Sequence, residues 1–303
     1  DSRKKSYDWK KYVNNLDPVI DRRKVEAILA ARPDQTAQLL AGDYPRISLG
    51  GRIVPPVIYF GDFNQPKRSK YQDFKQAGVD LQIIVLGRSN RLWLGPGKYD
   101  FDKIDRLIWD GVARNPSGNF IILIDVAPYK GWADDFPQDQ AVEATGKPAV
   151  SRHNESGRPC YWSDRYRQQV LELLEAWVKH FRKQPYFKAV CGIFIAGNED
   201  GQFYYQVFRN NVIEDGNSPA ALPAFRRYLK NRYGSDAGLR KAWNDPSVTL
   251  ATAMPPRTET PYAGNFFNPA TQMPQIDLIR FLNLDMGDFV NAMCNTVKRA
   301  AGK

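Results

Sequence analysis

The chain has 303 residues, 43% of them hydrophobic, enough to bury a real core in one large α/β domain or two smaller ones. Lysine and arginine outnumber aspartate and glutamate by 43 to 33, but the basic residues are scattered (Lys10-Lys11, Arg22 to Lys24, Lys67-Arg68, Arg226-Arg227) with acids between them, which argues against a dedicated nucleic-acid footprint. No apolar run reaches the roughly 18 residues of a membrane span; Cys160, Cys191 and Cys294 form no CxxC pair, which argues against a disulfide framework or structural zinc; and any export signal is absent or already removed.

Residues 1–42 are charged and helix-prone, with Asp17-Pro18 and Asp21 as starts for a helix over Arg22 to Ala31 that Arg32-Pro33 ends. Two short β-type runs flank Gly50-Gly51 as a hairpin, and Val57 to Phe60 follows as a first buried strand with Asp62 just beyond it. Ser69 to Ala77 reads as a helix stopped by Gly78, Val79 to Leu86 as a second strand, Phe101 to Ala113 as a helix, and Asn119 to Val126 as a third strand ending near Asp125. After a long loop, Val170, Leu173, Leu174, Trp177, Val178 and Phe181 keep helical spacing over Asp164 to Arg182.

The fourth strand is the apolar run Val190 to Ala196, which breaks at Gly197 into Asn198, Glu199 and Asp200. An insertion from Gly201 to about Pro274 carries helical segments at Pro223 to Tyr233 and Ala237 to Trp243, and a final helix runs from Asp277 to Ala301. Strands alternating with helices predict βαβ units, a parallel sheet and right-handed crossovers. Four units are counted where a closed (β/α)8 barrel has eight, so the expected fold is α/β, half of a TIM-like barrel. Residues 1–42 form a helical lead-in, and 43–303 the N-terminal half-barrel with the insertion at about 201–274. Chemistry in such folds sits at the C-terminal ends of strands. There a carboxyl at the mouth of an apolar strand is partly desolvated, which favours the protonated form that a general acid needs; this singles out Glu199, against the plainer reading of a solvated strand-end glutamate.

Several phrases resemble the catalytic barrel of the family 42 glycoside hydrolases, β-galactosidase-like members of the clan of retaining (β/α)8 glycosidases. They are YDFDKIDRLI (99–108), APYKGW (127–132), GRPCYWSDRYR (157–167), GNEDG (197–201) and FRRYLKNRYGSDAGLRKAWND (225–245), in the family's order and covering roughly residues 50–301. The last phrase also reads simply as a helix stopped by Gly234, with Trp243 as packing. The resemblance implies that Glu199 is the acid/base and that Asn198 hydrogen-bonds the sugar 2-hydroxyl. The family's nucleophile comes from the seventh strand, which these four units do not include. A second polypeptide or the rest of a longer one supplies it, or the barrel binds without hydrolysing, or Asp62, Asp125 or Asp200 has taken the role. The family's arginine in the second strand has its nearest counterpart in Arg88, and the cysteine cluster of some zinc-binding relatives is reduced to Cys160, so neither metal nor cofactor is expected. Trp132, Trp162, Tyr204 and Tyr205 are either sugar platforms or core residues. His153 and His180 match no catalytic pattern, and His180 is expected on the surface. The function implied is a retaining glycoside hydrolase acting on a β-linked sugar; a non-catalytic sugar-binding or scaffold half-barrel is the alternative. The partners implied are a carbohydrate and a second half-barrel, from the same protein, another chain or self-association.

Overall fold

The computed structural model describes residues 18–62, 66–86, 92–143, 146–150, 157–197, 201, 203, 218–256 and 267–302. Helix α1 (Arg22–Ala31) starts where Asp21 accepts the amide hydrogens of Arg23 and Lys24, and it buries Val25 and Leu29 in the main core. It is followed by strands β1 (Ala37–Leu40), β2 (Arg46–Leu49) and β3 (Arg52–Val54), which pair antiparallel in that order. The predicted hairpin at Gly50-Gly51 is therefore present, with both glycines at positive φ. The lead-in is not helical throughout, because Ala37 to Leu40 pairs with β2 rather than coiling alone.

A second, parallel sheet runs in the order β4 (Ile58–Phe60), β5 (Leu81–Leu86), β8 (Asn119–Asp125) and β9 (Val190–Ala196). Helix α2 (Tyr71–Gln76) joins β4 to β5. A small hairpin of β6 (Trp93–Gly95) and β7 (Lys98–Tyr99), with helix α3 (Phe101–Val112), joins β5 to β8. Helix α4 (Asp164–Phe181) joins β8 to β9, and α5 (Ala221–Tyr233), α6 (Asp236–Trp243) and α7 (Met273–Ala301) follow. Sequential order with parallel pairing is the first arc of a (β/α) barrel, as expected.

The register separates the two faces of this arc. Outward-facing Ile84, Leu86, Phe120, Ile122 and Ile124 pack under the helices in the main core. Helix α3 comes so close that a Cβ on Gly111 would lie 2.7 Å from Ile84 Cδ1. Inward-facing Ile83, Val85, Leu123 and Ala196 form a separate, smaller cluster. The expected burial of the first strand does not hold: Ile58 is 42% and Phe60 44% exposed, and Phe194 on β9 is 45% exposed. These side chains share the inner face at or near the two ends of the sheet, where burial requires the opposite wall of a barrel.

The β1–β2–β3 sheet lies under the N-terminal end of the arc. Leu49 and Val54 pack on Leu81, the first residue of β5, with Ile47 and Cys191 at the margin. Arg52 reaches Asp80 at 3.2 Å, and Lys75 reaches the same carboxylate at 2.6 Å; the Lys75 hydrogen bond is the main reason the Asp80 carboxyl titrates below its ordinary range. Arg32 ties the preceding segment to the same end through the carbonyls of Pro116 and Gly118, both at 2.8 Å, and Asn119 Oδ1 at 2.9 Å. This lower end is thus occupied, and the C-terminal strand ends face the other way.

Candidate functional site

Three of the parallel strands deliver their last residues to one rim. Asp125 closes β8 level with Ala196 of β9, and since Ala196 belongs to the inner cluster, Asp125 stands on the inner face at the rim. Its Oδ1 accepts the amide hydrogen of Ala127 at 2.7 Å, which pins the start of the next loop. Asp62 follows β4; its amide donates to Ser69 Oγ at 2.8 Å and its carboxylate lies 3.6 Å from the Arg68 guanidinium. Gly61 before it allows the close approach, because a Cβ there would fall 2.5 Å from the Ile83 carbonyl oxygen. Strand β9 ends at Ala196-Gly197. A Cβ on Gly197 would meet Phe203 at 2.5 Å, so glycine lets that aromatic ring rest against the strand end. Asn198, Glu199, Asp200, Arg88, Tyr204, Tyr205 and His153 lie outside the described residues.

The two described tryptophans offered as sugar platforms are core residues. Trp132 and Trp162 are each 1% exposed. The helical turn Trp132–Asp135 presses the Trp132 indole onto α4, where Nε1 donates to Gln169 Oε1 at 2.7 Å and the ring meets Tyr166 edge-on at 5.6 Å. Trp162 packs under α7 against Phe281, with ring centroids 5.6 Å apart. A buried face cannot stack on a sugar, so the alternative of core packing applies to both.

The loop after β8 is braced by isolated β-bridges, Gln140 with Pro159, Val142 with Pro148 and Val150 with Gly157. Its end is fastened by Ser163, which caps α4 through the Tyr166 amide at 3.1 Å and donates to Asp139 at 2.6 Å. The Val142 amide donates to Ser218 Oγ at 2.8 Å, joining this loop to the insertion. Within the loop, Tyr129 donates to Asp135 at 2.6 Å, and burial, followed by that hydrogen bond, pushes its hydroxyl pKa up.

The insertion is held by a group that the sequence reading missed. Asp277 was expected to open the last helix, but α7 begins at Met273 and Asp277 is fully buried inside it. Its carboxylate accepts from Tyr233 at 2.6 Å, Trp243 Nε1 at 2.8 Å and Tyr228 at 3.4 Å, and pairs with Arg232 Nε at 3.0 Å. Burial, then the bond to Asp277, pushes the Tyr233 hydroxyl pKa up to about 12. Four side chains of the 225–245 phrase therefore converge on one anion. Gly234 stops α5 at φ 72°, as expected, while Trp243 does more than pack.

His180 is not a surface residue. It is half-buried, 2.7 Å from Asp105 and stacked on Phe101 at 4.5 Å, and Tyr186 donates to the same Asp105; this cluster joins α3, α4 and the turn Pro185–Ala189. Among the described residues, no three His, Cys, Asp or Glu side chains come together to hold a metal ion, and no helix is long and apolar enough to cross a membrane.

A parallel (β/α) arc stoppered at its base, with carboxylates at its upper rim, belongs to the class of (β/α)-barrel proteins that carry chemistry at the C-terminal strand ends. The particular family follows from comparison with known proteins. Residues 64–302 match the family 42 glycoside hydrolases, described as β-galactosidase, and the chain belongs to that family. β-Galactosidase LacZ of Lactobacillus acidophilus is 27% identical over 198 residues, 62% of this chain and 26% of that protein. β-Galactosidase BbgII of Bifidobacterium bifidum is 26% identical over 232 residues, 70% of this chain and 30% of that protein. The chain thus spans between a quarter and a third of the length of these curated relatives. Among solved structures, the β-galactosidase of the psychrophilic Marinomonas ef1 superposes with a TM-score of 0.57 at 17% identity, covering 80% of this chain and 36% of that one. The β-amylase catalytic domain of Paenibacillus polymyxa gives 0.61 at 13% identity, covering 80% and 62%. Both likenesses concern the fold. α1, the β1–β2–β3 sheet and β4 all precede the matched span.

Proposed function

We propose that this chain is the acid/base-bearing half of a retaining glycoside hydrolase that cleaves β-linked galactosides. Membership of the β-galactosidase family over residues 64–302 carries this reading, and it is supported by a strand, β9, that runs into the Gly-Asn-Glu sequence beside the inward-facing Asp125. Glu199 protonates the departing glycosidic oxygen and, after the sugar is transferred to a nucleophile, takes a proton from the attacking water. Asn198 holds the sugar 2-hydroxyl. Asp62, Arg88 and Asp125 border the sugar, and Tyr204 and Tyr205 give its apolar face a surface to stack on. Retention requires the second carboxylate about 5 Å from the first, and the second half-barrel supplies it. The partner is a neutral sugar rather than nucleic acid, so binding is insensitive to salt.

The test compares wild type with Glu199→Gln, each in a polypeptide that carries this chain together with the second half-barrel, on lactose and on nitrophenyl β-galactoside, alongside calorimetric binding of galactose. The expected result is a loss of about 100-fold or more on lactose, a smaller loss on the activated substrate that needs no proton donor, and unchanged galactose binding. Equal rates for the two proteins on lactose remove Glu199 from the mechanism. A wild type that neither turns over nor binds galactose overturns the reading.

A further inference from the structure

The C-terminal end of β9 is gripped from both faces. On the inner face the chain returns at Gly201, φ 75°, where a Cβ would lie 3.5 Å from the Ala196 Cβ. On the outer face the Phe203 ring lies on Gly197: the three nearest neighbours of a Cβ there would be Phe203 Cε1 at 2.5 Å, Cζ at 2.7 Å and Cδ1 at 3.3 Å. The φ of Gly197 is not in the left-handed region, so the backbone itself would accept another residue, and it is the ring that calls for glycine. The ring is backed in turn by the core. It meets the buried Tyr161 edge-on at 6.2 Å, and Tyr161 meets Tyr166 edge-on at 5.7 Å. The Tyr161 carbonyl accepts from Arg167 Nε at 2.6 Å, and Arg167 pairs with Asp285 of α7. Phe203 therefore stands against a wall built by α4 and α7.

We infer that Phe203 is a positioning residue for the proton donor: by holding the backbone at Gly197, two residues before Glu199, it delivers the acid to the rim in one place. This role rests on Glu199 being the acid/base, as proposed above. A glycine at this point would otherwise leave the chain free to turn, since glycine has more backbone states to lose than any other residue. Misplacing a catalytic group by about 1 Å costs up to about 100-fold in rate. Freedom two residues upstream of the acid therefore falls on proton transfer rather than on sugar binding. Phe203 acts through the strand end and not on the sugar.

The experiment places Phe203→Ala, Gly197→Ala and the double substitution in the polypeptide that carries this chain together with the second half-barrel. Hydrolysis of lactose and of nitrophenyl β-galactoside is measured beside amide hydrogen exchange over residues 197–201. Phe203→Ala is expected to lower kcat on lactose about tenfold or more with KM little changed, and to cost less on the activated substrate that needs no proton donor. Gly197→Ala, whose new methyl drives the ring away, should do the same. Added to Phe203→Ala it should cost nothing further, because the ring it would strike is gone. Exchange over 197–201 should quicken about tenfold in Phe203→Ala, while unchanged exchange in β5 and β8 reports an intact fold. Equal losses on the two substrates, independent losses at the two positions, or unchanged exchange over 197–201 would each show that Phe203 only fills the core, and would overturn the inference. A wild type that hydrolyses neither substrate removes the enzymatic reading, and exchange then decides alone whether the ring holds this strand end.

Discussion

Replacing Asp277 with alanine should unlock the insertion from the barrel. In the native chain this carboxylate is fully buried and serves Tyr233 at 2.6 Å, Trp243 at 2.8 Å, Arg232 at 3.0 Å and Tyr228 at 3.4 Å. Removing it strands one guanidinium and the half-buried indole and phenol donors. Breaking a buried ion pair by deleting one partner costs about 3–5 kcal/mol, and each orphaned donor about 1–3 kcal/mol, though these do not add in full. The Arg232 side chain keeps a third of its surface in water, so solvent takes up part of its charge. The long 3.4 Å contact contributes little. A total of about 3 kcal/mol is therefore expected, and urea titration followed by circular dichroism and tryptophan fluorescence would see the midpoint fall by about 1 M or more. Asp277→Asn keeps the shape and one acceptor oxygen and should lose less. A loss below about 1 kcal/mol for the alanine variant would show that the four contacts follow from the fold of the insertion rather than hold it.

Two further outcomes test the structure elsewhere. The Asp80 carboxyl, depressed chiefly by its hydrogen bond to Lys75, contributes stability that is complete above the unfolded carboxylate pKa near 3.9 and is lost as pH falls through the lower folded value. The stability difference between wild type and Asp80→Asn should therefore be full at pH 7 and shrink at pH 3; a difference that grows on acidification would reverse the assigned sign. Trp132→Ala should cost about 3–5 kcal/mol in chemical denaturation, as expected for a large core side chain. If instead it folds normally and weakens sugar binding, the indole is a platform after all.

Much of the fold could be read in advance because its elements carry their own punctuation. Asp21 caps a helix through its side chain, Gly78 and Gly234 end others at positive φ, and β5 and β8 are apolar runs buried as expected. What escaped reading depends on contacts distant in sequence. Strand β1 is four residues of no marked pattern that exist because β2 is beside them. Trp132 and Trp162 have the composition of sugar platforms, and only the positions of α4 and α7 decide that they face inward. Asp277 carries the local signature of a helix start, while its three aromatic partners and its arginine lie 34 to 49 residues upstream. The rim was more legible than the walls, since alternation along β8 already puts Asp125 on the face opposite Ile124.

The stopper at the base has a consequence for where this protein can be cut. Residues 37–54 lie upstream of the family span, yet their Leu49 and Val54 keep water away from Leu81, and Arg52 grips Asp80 from the same side. A version trimmed to 64–302 would retain every matched residue but lose β4 as well as the sheet beneath it, leaving its underside wet and β5 without its neighbour. The stretch that identifies the family and the stretch that packs against its lower end are different lengths of chain.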